Sequence, residues 1–390
     1  VPVEAVVLHL VCHLIDSNAD TGYFRSIARR HDRSRFPVMI GSLAPPGALQ
    51  RAIGRLGVGS FSLGARERAQ YALALVRLVR LIRRHRVTLV HAHCFDPTFV
   101  GLLAARVAGV PFVFTRHHSD HNIRLGKRWH TRVDAWCAQR ADHVIAVSHA
   151  TRRIMEEVER VPARQISIVY NGMEGLPQPS AAEVERLRRD LGLDGTAVCL
   201  TAGRLHEEKG HLVLFEAAAE IRRRIGHVVF LVAGEGPHRA AFEEAVRRRG
   251  LAACVRFLGH RSDVAALLSV ASVVAVPSLA ESFGFSVLEA MSLGRPVVAS
   301  TAGGIKELIA DEEEGLLVPP GDATALADAA CRLLEDVELA QRLGERARLR
   351  ATAFGFEEMI RGYEAVYERV LGSRARAAGA NMCGSVQSTL

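Results

Sequence analysis

Residues 271–299 read ASVVAVPSLAESFGFSVLEAMSLGRPVVA, and three local signals divide them. Ala271 to Val276 is a short apolar run of the kind a buried strand needs, and Pro277-Ser278 ends it. Phe285 to Leu293 has helical composition, and Pro296 to Ala299 is apolar again. Strand, helix and strand in that order make a crossover unit, which places the two strands parallel in one sheet. Glu281 then lies in the strand-to-helix loop and Glu289 on the first turns of the helix. Carboxylates accept paired hydroxyl groups, and the backbone N–H groups of Phe283, Gly284 and Phe285 open a helix, where partial positive charge favours phosphate. One loop offers grips for hydroxyls and for phosphate.

The same alternation runs outward in both directions. Toward the N-terminus, Ala5 to Leu10, Val38 to Ile40, Thr88 to Ala92, Phe112 to Thr115, His143 to Val147 and Ile166 to Val169 read as strands, with helical stretches at Arg66 to Arg84 and Thr98 to Ala108. At Gly172 to Ser180 the periodicity stops among turn formers. It resumes with strands at Ala197 to Ala202, Val228 to Ala233, Val255 to Leu258 and Val273 to Val276, and helices at Leu212 to Arg224, Arg239 to Arg249, Ile305 to Ala310 and Thr324 to Leu334. The fold class that follows is α/β, with two doubly wound Rossmann-like domains facing across a cleft, at residues 1–172 and 181–355 with a linker at 173–180. A helix at 356–371 is expected to return to the first domain, and 372–390 to form a mobile tail.

A chain of 390 residues exceeds one compact core, and 49% hydrophobic with 24% charged residues is the composition of a globular protein. No apolar run reaches the ~20 residues of a spanning helix, and Val-Pro-Val-Glu at the start lacks a basic region followed by an apolar one. Seven cysteines lie singly without a C-x-x-C, which argues against a zinc module or disulfide framework and for a cytoplasmic home. The net charge of +8 suggests anionic partners without reaching a nucleic-acid-binding extreme, so phosphorylated small molecules or an acidic membrane surface are expected and nucleic acid is not. Arg77, Arg80, Arg83 and Arg84 among leucines and valines make a basic amphipathic helix, which reads first as a cover for the sheet and second as a peripheral contact with an anionic membrane at its inner face.

Five segments in order, Gly203-Arg204-Leu205-His206-Glu207-Glu208-Lys209-Gly210, Gly234-Glu235-Gly236-Pro237, Gly259-His260-Arg261-Ser262-Asp263, Pro277-Ser278 through Glu289-Ala290-Met291, and Gly294-Arg295-Pro296-Val297-Val298-Ala299, carry a resemblance. With them the chain resembles the family 4 retaining glycosyltransferases (glycosyl transferases group 1) of the GT-B fold. That resemblance implies a nucleotide-diphosphate sugar donor (UDP-, GDP- or ADP-linked), transfer with retained anomeric configuration, and no metal cofactor. The acceptor stays open among lipid-linked carriers, saccharides and small alcohols, as in polysaccharide or glycolipid biosynthesis. The resemblance assigns Arg204 and Lys209 to the leaving diphosphate, which fixed cations would stabilise as charge develops. It assigns Glu289 to the ribose and Glu281 to the hydroxyls of the donor sugar. Gly203, Phe283, Gly284 and Phe285 would contact the donor through their backbone. His117 best matches the family's active-site histidine, with His118 as its rival, in a hydrogen-bonding role near the reacting carbon.

The loop after the first strand departs from the family's Gly-Gly pattern. It holds only Gly22, with Asn18, Asp20 and Thr21 as further acceptor-side candidates. A concentration of histidines, His91, His93, His117, His118 and His121 with Asp96 and Asp120, raises a reading from another class, a metal-dependent hydrolase built on His91, His93 and His117. A catalytically silent sugar-nucleotide-binding module is the third reading, and the intact Arg204, Lys209, Glu281 and Glu289 set argues against it.

Overall fold

The computed structural model describes residues 5–14, 18–117 and 127–386, and the side chains among these except at 18–21 and 377–386. The chain divides into two compact units, one of Val1–Gly172 with Phe356–Leu390 and one of Met173–Gly355.

The first unit holds a parallel sheet of seven strands in the order β3-β2-β1-β4-β5-β6-β7. These are β1 (Val7–Val11), β2 (Val38–Ser42), β3 (Gly59–Ser62), β4 (Leu89–His93), β5 (Phe112–Arg116), β6 (His143–Ala146) and β7 (Ile166–Ile168). β1, β4, β5 and β6 are buried along their whole length, because helices cover both faces of a parallel sheet. The helix Tyr71–Arg84 buries Ala74, Leu78, Val79 and Ile82 in the cluster that includes Leu8, Leu10 and Val90 of the sheet. Its other side exposes Leu73 and Val76 beside Arg80, Arg83 and Arg84.

The second unit holds a parallel sheet of six strands in the order β10-β9-β8-β11-β12-β13. They are β8 (Ala197–Ala202), β9 (Val228–Ala233), β10 (Val255–Gly259), β11 (Val273–Val276), β12 (Val297–Ser300) and β13 (Leu316–Val318). In both sheets the direction of winding reverses once, between β1 and β4 in the first and between β8 and β11 in the second. The crevice beyond the strand C-termini at such a reversal is where open α/β sheets bind ligands. β8 and β11 deliver Gly203 and Pro277 to that place in the second unit, and β1, β4 and β5 deliver Cys12, Cys94 and His117 in the first.

Three features differ from the sequence reading. The edge strands β3 and β13 carry too little signal, since Gly-Ser-Phe-Ser is partly exposed and β13 has three residues. The final helix, expected to end near residue 370 before a mobile tail, runs Phe356–Val386, because Ser-Arg-Ala-Arg-Ala-Ala contains no breaker and is rich in good helix formers. Gly22 does not sit in the loop after β1 but inside the helix Asn18–Arg30, exposed, with open space where a side chain would be. Asn18, Asp20 and Thr21 fall on the first turns of that helix.

The chain leaves the first unit at Gly172 and re-enters it at Phe356. A Cβ on Gly172 would lie 2.6 Å from the Cα of Phe356, so only glycine lets these segments touch. The returning helix buries Tyr363 and Tyr367 completely. Among the described residues no helix is long and apolar enough to cross a membrane.

Candidate functional site

In the second unit the loop after β8 is pressed against the end of β11. Gly210 has φ +68°, and a Cβ there would lie 1.9 Å from the carbonyl oxygen of Pro277, so no other residue fits. Leu279 and Ala280 donate their backbone N–H groups to the carbonyl of Glu208 at 2.7 and 3.3 Å. The result is an ion pair, Lys209 Nζ to Glu281 Oε2 at 2.5 Å, with the Ser278 hydroxyl 3.4 Å from the same oxygen. Glu281 is held from its other side by the loop after β12. Gly303, at φ +54°, would place a Cβ 1.6 Å from the Glu281 carbonyl oxygen, and Gly304 N–H donates to that oxygen at 3.3 Å. The sequence reading overlooked Gly303, although Gly-Gly in the loop after a strand was the available signal.

Glu289 stands in the helix Phe285–Ser292, half-buried. Burial pushes its carboxyl up to about 7, with the Lys209 ammonium pulling the other way. Phe283 is buried, while Phe285 is exposed and meets the Phe283 ring edge-on at 5.4 Å. Gly284, buried with φ +113°, caps the helix. Arg204 is brought to the same loop but is not locked in place, because its guanidinium touches Glu208 at 2.8 Å and its side chain remains 65% exposed. The Gly234 to Pro237 turn finds its explanation here: Cβ atoms on Gly234 and Gly236 would collide with the backbone of Gly203 and Leu205. Its glycines let it support the loop that carries Arg204. Lys209, Glu281 and Glu289 therefore form one charged group on two loops and a helix, with Arg204 at its exposed margin.

In the first unit His117 follows β5, and His118 lies outside the described residues. His117 Nε2 is 3.0 Å from His93 Nδ1, and His93 Nε2 is 3.0 Å from His9 Nδ1. His91 bonds Tyr367 OH through Nδ1 at 2.6 Å and Thr115 Oγ1 through Nε2 at 2.8 Å. The register explains the grouping, since His9 pairs with His91 across β1 and β4, and His93 with Thr115 across β4 and β5. Burial and neighbouring imidazoles push His9, His91 and His93 well below the usual imidazole range, so all three are neutral.

This geometry corrects the metal-dependent reading. Among the described residues, the three histidines whose nitrogens approach within 4.8 Å of one another are His9, His91 and His93, not His91, His93 and His117. Both nitrogens of His91 and of His93 are already engaged by Tyr367, Thr115, His9 and His117. An ion would have to break these bonds to bind. Asp96 is drawn away to Arg68 at 3.0 Å.

Residues 22–174 match the profile described as Glycosyltransferase Family 4, and residues 196–336 match that described as Glycosyl transferases group 1. An alpha-D-kanosaminyltransferase of Streptomyces kanamyceticus is 33% identical over 290 residues, covering 70% of this chain and 75% of that protein. The 2-deoxystreptamine glucosyltransferase of the same organism is 30% identical over 361 residues, covering 88% of this chain and 91% of that one. Among solved structures, Anabaena HepE in complex with UDP-glucose superposes with a TM-score of 0.81 at 25% identity, covering 93% of this chain and 99% of that one.

Proposed function

The chain belongs to glycosyltransferase family 4, and on that premise we propose that its donor is a uridine diphosphate sugar held by Arg204, Lys209, Glu281 and Glu289. Membership makes it a retaining glycosyltransferase of the GT-B fold that moves a sugar from a nucleotide-sugar donor. The observation that carries the donor reading is the Lys209–Glu281–Glu289 group at the winding reversal of the second sheet. HepE, whose structure with UDP-glucose overlays almost the whole chain, supports uridine over guanosine or adenosine. In this reading Glu289 accepts the ribose hydroxyls and Glu281 those of the sugar, while Lys209 and Arg204 take the charge of the departing diphosphate. Gly203 and the N–H groups at Phe283, Gly284 and Phe285 support the donor through their backbone. His117 hydrogen-bonds a hydroxyl beside the reacting carbon. The acceptor oxygen attacks from the face the leaving phosphate departs, and that phosphate takes the acceptor's proton.

Calorimetry against UDP, GDP and ADP with chelator present tests the donor. UDP should bind most tightly, and preference for another base would overturn the assignment.

Glu289 gives this site a pH signature. Its carboxyl ionises near 7 in the free protein, and a carboxylate accepts two hydroxyls where a carboxylic acid accepts them poorly. A group whose pKa is raised on folding favours its protonated form below that value, so donor binding has to expel the proton there. Affinity for UDP-glucose, which has no titrating phosphate in this range, is expected to be flat above pH ~7.5 and to fall by up to roughly tenfold per unit below 7. Glu289→Gln should remove the slope and weaken binding throughout. A dissociation constant independent of pH from 5.5 to 8 contradicts the ribose role.

The acceptor is a hydroxyl compound, and the aminocyclitol named in the 2-deoxystreptamine glucosyltransferase favours the small-alcohol class among the three. A lipid-borne acceptor would instead draw on Leu73, Val76, Arg80, Arg83 and Arg84 as a face for anionic membrane. Co-sedimentation with vesicles of anionic and of neutral lipid separates the two, since equal binding to both removes the electrostatic face.

A further inference from the structure

The single turn Glu207–Lys209, between β8 and the helix His211–Ile225, sends consecutive side chains to three different partners. Glu207 Oε1 lies 3.4 Å from His238 Nε2, Glu208 Oε1 accepts from Arg204 Nη2 at 2.8 Å, and Lys209 reaches Glu281. The mechanism proposed above uses Arg204 and Lys209. It gives no part to Glu208, which is bonded to the first and precedes the second.

Glu208 is the fixed member of its ion pair. Its carbonyl takes the N–H groups of Leu279 and Ala280, which fastens it to the loop that carries Glu281. The turn around it is closed by Lys209 N–H to His206 O and Gly210 N–H to Glu207 O, both at 3.0 Å. Its side chain is 16% exposed, against 65% for Arg204. The backbone beside Arg204 is fastened too, since Gly203 and Leu205 donate to the carbonyls of Ala233 and Glu235 at 2.9 Å. The guanidinium beyond it has, among the described residues, one hydrogen bond, the one to Glu208.

A long, exposed side chain tied at its tip to a fixed carboxylate takes its reach and its plane from that carboxylate. Such a pair adds little to stability, so its consequence lies in where it holds the cation. A guanidinium has five N–H groups, and the bond to Oε1 uses one, which leaves four to meet phosphate oxygens. His206 Nδ1 stands 3.8 Å from the same Oε1, too far to hydrogen-bond it.

We propose that Glu208 is a positioning residue for the transfer step: it tethers the Arg204 guanidinium to the turn that carries Lys209, so that both cations stand ready when charge develops on the leaving diphosphate. The proposal rests on the reading that Arg204 faces that diphosphate. A carboxylate in this place also repels the anionic donor. In the bound donor, tether and repulsion oppose each other, whereas in the transition state the aimed cation gains weight as the leaving oxygen becomes charged.

Release of UDP from UDP-glucose, with water as acceptor, reads the effect in the full chain. Glu208→Ala should lower kcat roughly 5–30-fold and change KM for UDP-glucose by less than about threefold. Glu208→Gln keeps an oxygen that accepts from Nη2, and its kcat should stay within about threefold of wild type. Equal losses in the alanine and glutamine variants overturn the tether, and so does a rise in KM that matches the fall in kcat.

The cycle with Arg204 is decisive. If Glu208 acts through the arginine, Glu208→Ala costs almost nothing further in an Arg204→Ala background. Losses that multiply in the double variant mean independent action and overturn the proposal, while Arg204 keeps its donor role. A wild-type rate in Arg204→Ala alone takes the arginine out of the donor site, and the proposal falls with it.

Discussion

Lys209→Ala is expected to lower turnover by roughly 10²–10³-fold, the range for removing one preorganised charge from a developing anion. Acceptor affinity should change little, because the ammonium acts on charge that appears as the glycosidic bond breaks. The 2.5 Å contact with Glu281 allows a second explanation for such a loss. Glu281 has only 13% of its side chain exposed, so stripping its partner leaves a poorly solvated carboxylate that would itself disturb the loop. The double variant Lys209→Ala/Glu281→Gln separates the two. If Lys209 served only to neutralise Glu281, the double variant would regain most of the activity of Glu281→Gln alone. If Lys209 faces the diphosphate, the double variant stays at least as slow as Lys209→Ala. Steady-state rates of UDP release with each variant decide the matter, and wild-type turnover in Lys209→Ala removes the residue from the mechanism.

The pairing of Lys209 with Glu281 shows where sequence is informative and where it is silent. Both loops were legible because parallel strands buried on two faces appear as unbroken apolar runs, and a loop after such a run sits at the ligand-binding edge. Val273–Val276 and Ala197–Ala202 are such runs, and they locate Glu281 and Lys209 without any contact being known. β3 escaped because Gly-Ser-Phe-Ser is no apolar run, and β13 because it is only three residues long. The contact between the loops was not legible, since it depends on Gly210 and Gly303 admitting a backbone oxygen within a side chain's radius, and a glycine in a loop has many cheaper explanations.

The histidines mark the same limit. His91, His93 and His117 stand close enough in sequence to be noticed together, and the metal reading grew from that proximity. What decides their chemistry is His9, 84 residues from His93, and Tyr367, 276 residues from His91. His9 is one polar residue inside an apolar strand, and nothing local distinguishes it from a surface residue at a strand's pleat. Only the order of the sheet brings it to His91, and only the returning helix supplies the hydroxyls that commit the rings to hydrogen bonds.

Arg116→Met is expected to destabilise the first unit by about 3–5 kcal/mol, lowering its transition by roughly 6–20 °C in a unit of this size. Arg116 ends β5 directly before His117, and its guanidinium is buried between Asp134 and both oxygens of Glu159, the latter at 2.8 Å. The two carboxylates hold the guanidinium charged, while burial pushes Glu159 above the usual carboxylate range against the pull of Arg116. Removing the cation therefore leaves two buried acids facing each other, and the cheapest relief is for one to take a proton or for the strand end to open. Opening would release His117 from its place beside His93, so activity should fall with stability. Replacing all three groups, Arg116→Met with Asp134→Leu and Glu159→Met, removes the desolvated charges together and should recover most of the lost stability, because a buried ionic cluster contributes little over well-packed apolar groups. Calorimetric scans of the single and triple variants test the argument. A loss below about 1 kcal/mol in Arg116→Met is the behaviour of a solvated pair and would show that the cluster is open to water. Recovery of stability in the triple variant without recovery of activity would separate the two duties of Arg116, holding the strand end together and aiming the histidine that follows it.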